Sequence, residues 1–316
     1  MFFQGPSGGP ERLHRLLPNA VRFDCSEPGR WAELLRQTRP EILVTSWSTP
    51  TLPLDIRGLG FVCHVGGTVR NLIPRPLLEQ GLLVTNWGDS VSEGLAEAAL
   101  FHALMALRRG QHFGDLMHRA KGWAEFPSGT KTLFEKRVGI HGFGAAARNL
   151  VRLLAPFRAQ ISAYSPGVPA ALFREAGVRQ CESLAELCAS SDVLFELEGL
   201  TPTTRGTVTR AMLELLPLDA VFVNVARGAL IDEAASAELA AAGRIRLALD
   251  VFSSEPLPVD SPLRELASAT LTPHLGSPTD DRLPHCGNLA LANLQRFLAG
   301  QSVDSVVTLE IYDRST

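Results

Sequence analysis

Three side chains in the second half of this 316-residue chain have the types needed to bind a carboxylate and move a proton. Arg227, Glu255 and His274 each follow an apolar, strand-like run. An arginine offers five fixed donors and can bind a carboxylate through two parallel hydrogen bonds, whereas a histidine can donate a proton near neutral pH. A neighbouring glutamate would favour the imidazolium form and orient the ring. Reduction of a 2-oxo acid needs such a cation and such an acid.

The elements before these residues should bring them together. The apolar runs are 220–225, 246–251 and 270–272. If they are parallel strands, all three side chains emerge at one edge of a sheet. Taken singly, each residue has a commoner structural explanation as a surface ion pair, a turn or a loop histidine. Their occurrence at three successive strand ends favours the chemical interpretation.

A glycine-rich turn lies about eighty residues upstream. An apolar run at 137–141 is followed by Gly142-Phe143-Gly144-Ala145-Ala146-Ala147, which has the spacing G-x-G-x-x-A. Such a turn lets the backbone approach a pyrophosphate at the start of a helix. The spacing alone is weak evidence, but the strand before it and the alternating elements after it favour dinucleotide binding.

The sequence leaves the choice between NAD and NADP open. In NAD enzymes the strand after the turn usually ends in an acidic residue that binds the adenosine ribose. Here the run 160–164 ends in Ser165, and Arg174 is the nearest downstream arginine. Ser165 could equally be no more than the start of a Ser-Pro-Gly turn.

Apolar runs and helical patterns alternate regularly from residue 137 onward. This alternation predicts an α/β fold with a doubly wound parallel sheet. The predicted strands are 137–141, 160–164, 192–197, 220–225, 246–251 and 270–272, and the predicted helices are 144–155, 183–189, 207–216, 232–242 and 279–299. A first α/β unit is predicted from runs at 42–46, 60–65 and 82–85, followed by a long helix at 91–109 and an irregular segment at 111–136.

Composition limits the class of protein. The length favours two domains, and a net charge of -3 with a pI of about 6.3 argues against nucleic-acid or anionic-membrane partners. Five scattered cysteines, with no C-x-x-C pair, suggest reduced thiols in a cytoplasmic protein, and no metal site is expected. No secretory signal is expected. The opening Phe3-Gln4-Gly5-Pro6 resembles a protease-site remnant but could equally be native.

These motifs together resemble the D-isomer-specific 2-hydroxyacid dehydrogenase family over nearly the whole chain. Further points of resemblance are Leu95-Ala96-Glu97 in the long helix, the loop 200–206 and Leu249-Asp250-Val251. The resemblance implies an NAD- or NADP-dependent oxidoreductase that interconverts a small 2-oxo acid and its D-2-hydroxy acid. It also implies a homodimer built around the long helix and the segment 111–136.

The resemblance further implies two Rossmann-like doubly wound domains with a cleft between them. The substrate-binding domain would comprise 1–88 and 276–316, and the dinucleotide-binding domain 89–275. Catalysis would rest on Arg227, Glu255 and His274, with Gly66, Gly67, Thr68 and Arg227 binding the substrate. The cofactor would be bound by Gly142, Gly144, Ala145, Ala146, Ser165, Gly199, Thr204, Val225, Ala226, Asp250 and Gly276.

The chain departs from the family pattern at two places. Arg70-Asn71 stands where relatives commonly have Asp-Asn, which would put a charge near the substrate entrance. Leu197-Glu198-Gly199 replaces His-x-Pro, which would make the adenosine pocket more acidic and more flexible. We expect no amino-acid-binding regulatory domain after the last helix, and therefore no feedback by serine through one.

Two other functions remain open on the sequence. A dinucleotide-sensing binding protein of the corepressor type would use the same fold and retain the same three residues, although no disordered or basic tail is evident. An enzyme acting on formate-like or phosphite-like anions would use the same glycine turn and arginine. The length of the substrate side chain also stays open, since Trp47, Trp87 and Trp123 could be pocket walls or packing residues.

Overall fold

The computed structural model describes residues 9–22 and 28–314, which divide into two compact units. The first unit comprises the described residues up to Val91 together with those from Pro278 onward. The second unit is Ser92–Ser277. The predicted remnant Phe3–Pro6 and Cys25 lie outside the described residues.

The second unit is built on a seven-stranded parallel sheet. Its strands are β4 (Arg137–His141), β5 (Gln160–Tyr164), β6 (Arg179–Gln180), β7 (Val193–Glu196), β8 (Ala220–Asn224), β9 (Ile245–Leu249) and β10 (Thr270–Leu271). The order across the sheet is β10-β9-β8-β7-β4-β5-β6. Strands β7 and β8 are buried throughout, as continuous apolar runs in a parallel sheet should be. The order reverses at β4, so ligands are expected at the carboxyl ends of β4 and β7.

Helices cover both faces of this sheet. The α-helices of this unit are α4 (Ser92–Arg108), α5 (Gly110–His118), α6 (Ala145–Leu154), α7 (Ala170–Glu175), α8 (Leu184–Ala189), α9 (Arg210–Leu215) and α10 (Glu233–Ala241), of which α5 packs on α4 rather than on the sheet. Residues from α4, α6 and α7 form one apolar core with the sheet. Residues from α8, α9 and α10 form a second core on the opposite face. The doubly wound prediction for this unit is therefore confirmed.

The segment after the long helix differs from its prediction as irregular chain. Arg109 adopts a left-handed conformation with φ of 54°, which ends α4, and α5 then begins at Gly110. Strand β6 and helix α7 were also not predicted. A two-residue strand and a six-residue helix are too short to show a hydrophobic period.

One partly buried arginine ties this segment to the sheet. Arg246, on β9, donates two hydrogen bonds to the carboxylate of Asp219, at 2.7 and 2.8 Å. It also donates to the carbonyl oxygens of Ala106, Leu107 and Gly129, at 3.3, 3.1 and 2.7 Å. Both ends of the α5 segment are thereby attached to the edge of the core.

The first unit contains a three-stranded parallel sheet in the order β1-β2-β3. Its strands are β1 (Ile42–Thr45), β2 (Phe61–His64) and β3 (Leu83–Thr85), and its helices are α1 (Gly9–Leu16), α2 (Trp31–Thr38), α3 (Arg75–Glu79), α11 (Leu283–Leu298) and α12 (Leu309–Arg314). After α11 the chain returns to this sheet, where Val306 forms an isolated antiparallel β-bridge with Thr85. Helix α12 was not predicted, and its Tyr312 hydroxyl donates to the carbonyl of Ile73 at 2.7 Å.

The remaining bulk expectations concern membranes, metals and thiols. Within residues 9–22 and 28–314, no helix has the length and apolar character needed to cross a bilayer. In the same ranges no three His, Cys, Asp or Glu side chains converge as metal ligands. Cys63, Cys181, Cys188 and Cys286 are free and buried, and burial raises the pKa of Cys63 and Cys188 to about 12.

Candidate functional site

The glycine turn has the geometry that a pyrophosphate needs. Gly142 has φ of +88°, and a Cβ atom built there would lie 2.5 Å from Cα of Glu198. Gly144 is the N-cap of α6, has no capping side chain, and a Cβ atom built on it would meet nothing within 4 Å. The N-H groups at the start of α6, including those of Ala145 and Ala146, can therefore face an anion.

The predicted adenosine-side residues lie on the loops that follow β5 and β7. The Ser165 hydroxyl donates to Oε2 of Glu198 at 2.9 Å. The Thr204 hydroxyl donates to the carbonyl of Gly199 at 2.6 Å and accepts from the N-H of Thr201 at 2.7 Å. The Thr204 side chain thus joins the two ends of the loop that carries Gly199 and Thr204.

A buried ion pair beneath this loop was missed by the sequence reasoning. His141 Nδ1 and Glu196 Oε2 are 2.6 Å apart, and both side chains are buried. Burial by itself would lower the pKa of His141, but the charge of Glu196 and the hydrogen bond to it outweigh that effect and raise the pKa. The sequence did carry a signal for this pair, since the apolar strand β4 ends in His141 and the apolar strand β7 ends in Glu196.

Arg227 follows β8 on an extended backbone, with φ of -148°. Its Nη1 donates to the carbonyl of Ala226 at 2.6 Å, and the buried Asn224 side chain bonds to both Ala226 N and Arg227 O, each at 3.0 Å. Burial lowers the pKa of Arg227, and the nearby charge of Glu255 opposes this shift. Val225 and Ala226, the two predicted cofactor residues before it, are buried.

Gly228 permits close contact between the chain after β8 and the chain after β9. A Cβ atom at this position would lie 1.9 Å from the carbonyl carbon of Phe252. Only a glycine allows two backbone segments to approach this closely. The approach brings Arg227 beside the loop that carries Glu255.

His274 and Glu255 form the hydrogen-bonded pair that the sequence predicted. His274 Nδ1 and Glu255 Oε2 are 2.7 Å apart, and the second carboxylate oxygen accepts from the N-H of Phe252 at 2.9 Å. Both side chains are partly exposed. Because Glu255 only accepts, it fixes Nδ1 as the protonated nitrogen and leaves Nε2 available for a reacting group.

Asp250 orients the loop that carries His274. Its carboxylate accepts from the Thr272 hydroxyl at 2.5 Å and from the N-H groups of Leu275 and Gly276 at 2.8 and 2.7 Å. Its carbonyl accepts from the N-H of His274 at 2.8 Å. The sequence reasoning placed Asp250 against the cofactor but missed this second role.

Two further residues complete that support and were not predicted. Thr272 Oγ1 lies 2.8 Å from Nε2 of His102, a buried residue of α4. The other ring nitrogen of His102 donates to the carbonyl of Ala98 at 2.7 Å. These hydrogen bonds connect α4 to the chain that follows β10 and carries His274. The backbone of His274 itself is left-handed, with φ of +55°.

The predicted carboxylate-binding turn, Gly66 to Thr68, belongs to the first unit. A Cβ atom on Gly66 would lie 2.3 Å from Nε2 of His64, whereas Gly67 has open space. Asn86 donates to the carbonyl of Gly67 at 2.5 Å. The Asn86 side chain therefore fixes the turn, and the space beside Gly67 stays open.

The residues considered as pocket walls or entrance charges differ in their environment. Arg70 donates to the carbonyl of Tyr312 at 3.1 Å and packs over its ring, so it is engaged by α12. Trp87 is buried and lies edge-on to the exposed Trp47, with ring centroids 4.9 Å apart. Trp123, in the second unit, is exposed.

His64 beneath the glycine turn should make the first unit less stable in acid. Burial lowers the pKa of His64 to about 4, from its ordinary value of 6.5, and its Nδ1 lies 3.0 Å from the Thr45 hydroxyl. The unfolded chain therefore takes up a proton as the pH falls below 6.5, while the folded chain resists until about pH 4. Between pH 7.5 and 5.0 this linkage should cost about 2 kcal/mol.

Urea unfolding at the two pH values checks this expectation. Three of the four tryptophans, Trp31, Trp47 and Trp87, lie in the first unit and report its transition. The variant His64→Asn should lose about 2 kcal/mol less than the native chain on acidification. The exposed His285→Asn is the control. An equal acid loss in native and His64→Asn proteins would contradict the assignment.

Comparisons with known proteins agree with the geometry. Residues 100–276 match the family model described as "D-isomer specific 2-hydroxyacid dehydrogenase, NAD binding domain". The glyoxylate reductase/hydroxypyruvate reductase of Homo sapiens is 34% identical over 73% of this chain and 71% of its own length. The D-3-phosphoglycerate dehydrogenase of Methanocaldococcus jannaschii is 31% identical over 79% of this chain and 48% of its own length.

The length and the fold add two facts. The chain spans about half the length of the phosphoglycerate dehydrogenases it matches. A 2-hydroxyacid dehydrogenase structure from Ketogulonicigenium vulgare Y25 superposes with a TM-score of 0.81, at 24% identity, over 97% of this chain and 96% of that one. At that identity the likeness establishes the fold.

Proposed function

Because the chain belongs to the D-isomer-specific 2-hydroxyacid dehydrogenase family, we propose that it transfers a hydride between a nicotinamide dinucleotide and a small 2-oxo acid or its D-2-hydroxy acid. The observation that carries the proposal is the grouping at three neighbouring strand ends. Arg227 follows β8, the Glu255 loop follows β9, and His274 follows β10. The nucleotide turn lies at the carboxyl end of β4 in the same sheet.

In this proposal His274 is the general acid of the reduction and the general base of the oxidation. When bound, the reduced nicotinamide supplies the hydride that is added to the carbonyl carbon. His274 gives the proton on Nε2 to the carbonyl oxygen, while Glu255 stabilises the ring and keeps Nδ1 protonated. In the oxidative direction the neutral ring removes the same proton from the hydroxyl group.

Arg227 binds and polarises the substrate. Its guanidinium is partly buried, so its charge is poorly screened and interacts strongly with a carboxylate or a developing alkoxide. We further propose that N-H groups of Gly66, Gly67 and Thr68 bind the substrate carboxylate. The open space at Gly67 supports that assignment.

The cofactor residues are assigned on the same basis. The N-terminus of α6 and the space at Gly144 fit a pyrophosphate, which Ala145 and Ala146 would bind through their N-H groups. Ser165, Gly199 and Thr204 would line the adenosine side. Val225, Ala226, Asp250 and Gly276 would line the nicotinamide side.

A substrate series tests the proposal. Purified protein is mixed with NADH or NADPH and with glyoxylate, hydroxypyruvate, pyruvate or longer 2-oxo acids, and the loss of reduced cofactor absorbance is followed. Turnover with at least one small 2-oxo acid is expected, and glyoxylate and hydroxypyruvate are tried first because the human relative carries both in its name. If folded protein that binds cofactor turns over none of them, the proposal is wrong.

We also propose that the chain forms a homodimer in the cytoplasm. The four described cysteines are free and buried, which suits a reducing compartment. The segment after α5 exposes two large aromatic residues, Trp123 at 81% and Phe126 at 92%. Large exposed aromatic side chains are typical of interfaces.

Light scattering after size exclusion checks the dimer. The native protein is expected at twice its chain mass of 34.1 kDa. Replacing Trp123 and Phe126 together by serine should shift it towards the monomer because the interface loses its largest apolar contacts. Val259→Ser, at a residue 91% exposed elsewhere in the second unit, is the control. A monomeric native protein would refute the dimer.

A further inference from the structure

The end of β5 lacks the acidic side chain that selects NAD in many dinucleotide-binding domains. Ser165 stands at this end, only 6% exposed, and its hydroxyl proton is already donated to Glu198 at 2.9 Å. Its oxygen therefore has only lone pairs left to offer. It can accept a hydrogen bond from a ribose hydroxyl, but in this arrangement it cannot donate one to a phosphate.

Glu198 is held at this place by its neighbours. Its N-H donates to Oε1 of Glu196 at 2.9 Å, and its own Oε1 accepts from the N-H of Gly199 at 2.9 Å. Its backbone also packs against the nucleotide turn, since a Cβ atom on Gly142 would lie 2.5 Å from its Cα. Glu198 thus adjoins the turn through its backbone and the end of β5 through its carboxylate.

Among the described residues, only His141 opposes the charge of Glu198, and that imidazole is already bonded to another carboxylate. The carboxylate below it, Glu196, is paired with His141 at 2.6 Å. In the part of the chain that the structure describes, no lysine or arginine forms an ion pair with Glu198. An anion placed beside Ser165 would therefore meet an unpaired negative charge.

We propose that Glu198 takes over the task of the missing acidic residue on β5, binds the adenosine ribose hydroxyls together with Ser165, and excludes the 2′-phosphate of NADP. The chain would then select NAD. This inference rests on the proposed function only through the nicotinamide dinucleotide that both require. It does not depend on the identity of the 2-oxo acid.

Direct binding of the two reduced cofactors tests the proposal. The full chain is titrated with NADH and with NADPH, and each Kd is measured by calorimetry without substrate. The native protein should bind NADH roughly a hundredfold more tightly, because the phosphate brings about two negative charges to the carboxylate. Glu198→Gln keeps the shape of the side chain and loses its charge. The Kd of this variant for NADPH should be lower than the native value by a factor of roughly ten or more.

Controls separate the charge from other effects. NADH affinity should fall only severalfold in Glu198→Gln, because the ribose hydroxyls exchange a carboxylate acceptor for an amide oxygen. The preference between the two cofactors should therefore narrow mainly through the gain for NADPH. Glu175→Gln removes an exposed carboxylate elsewhere in the same unit and should leave both affinities unchanged. Glu198→Ala, checked by its thermal midpoint, should repeat the gain for NADPH if the glutamine variant folds poorly.

The outcomes are distinguishable from failure of the proposed reaction. Equal affinity of the native protein for both cofactors, or an unchanged preference in both Glu198 variants, would overturn the inference alone. Selective NADH binding without turnover of any 2-oxo acid would support it while refuting the proposed reaction. If folded native protein bound neither cofactor, both proposals would fall.

Discussion

Replacing His274 by glutamine is expected to lower kcat for 2-oxo acid reduction by about a thousandfold, because the developing alkoxide loses its proton donor. Glutamine keeps a polar group of similar reach but cannot be an acid near neutral pH. The cofactor affinity should change little, since the nucleotide turn lies at the end of β4. Stopped-flow oxidation of the reduced cofactor measures kcat, and calorimetry measures cofactor binding.

His285→Gln is the matched control for this prediction. His285 is an exposed histidine of α11 in the first unit, and its replacement should leave kcat unchanged. The same experiment separates an enzyme from a dinucleotide sensor. If His274→Gln retained native turnover, the acid would have to be another group, and if no function responded to it, a sensing role would be favoured.

Replacing Arg227 by alanine is expected to lower kcat/KM by about a thousandfold or more. The partly buried guanidinium should interact with the substrate in the transition state, where its poorly screened charge has the greatest effect. Arg227→Lys should recover only part of this loss, because an ammonium group cannot form two parallel hydrogen bonds. Initial rates across a range of 2-oxo acid concentrations measure both variants.

Stability measurements accompany this test. Burial disfavours the charged form of Arg227, so the guanidinium contributes little to folding stability. The melting temperature of Arg227→Ala should therefore lie within a few degrees of the native value. Arg36→Ala, at an exposed arginine of α2, is the control and should keep native kinetics. Native kcat/KM in a folded Arg227→Ala protein would refute its role in substrate binding.

The central strands could be predicted because burial on both faces leaves a strong sequence signal. Strands β7 and β8 are apolar at almost every position, and this continuity distinguishes them from amphipathic helices. Helix α5 could not be predicted in the same way. It follows a left-handed Arg109 and contains Gly110 and Gly114, which are poor helix formers, so its sequence resembles a loop.

The order of functional residues along the chain was predictable, but their contacts were not. Strand ends indicated where Arg227, Glu255 and His274 emerge. The pairing of His141 with Glu196 depends on the register between β4 and β7, in which these two residues lie opposite each other. A sequence gives no such register before the strand order is known.

The support of His274 shows the same limit. Asp250, Thr272 and His102 form a relay in which Thr272 and His102 are 170 residues apart, and the bond between those two depends on the packing of α4 against the sheet. The motif around Asp250 indicated a cofactor contact because the resemblance carried it. The left-handed backbone of His274 has no counterpart in residue types, since φ values above zero are uncommon outside glycine.

The attachment made by Arg246 has an evolutionary consequence. Its bonds to the carbonyls of Leu107 and Gly129 fix both ends of the intervening segment, and Lys131 N adds a bond to Leu107 at 2.8 Å. A segment with fixed ends can lengthen at a low entropic cost, about 0.6 kcal/mol for each doubling. Insertions there would be tolerated without disturbing the strand ends that carry Arg227, Glu255 and His274, so the surface that this segment exposes can change in sequence and length faster than those residues.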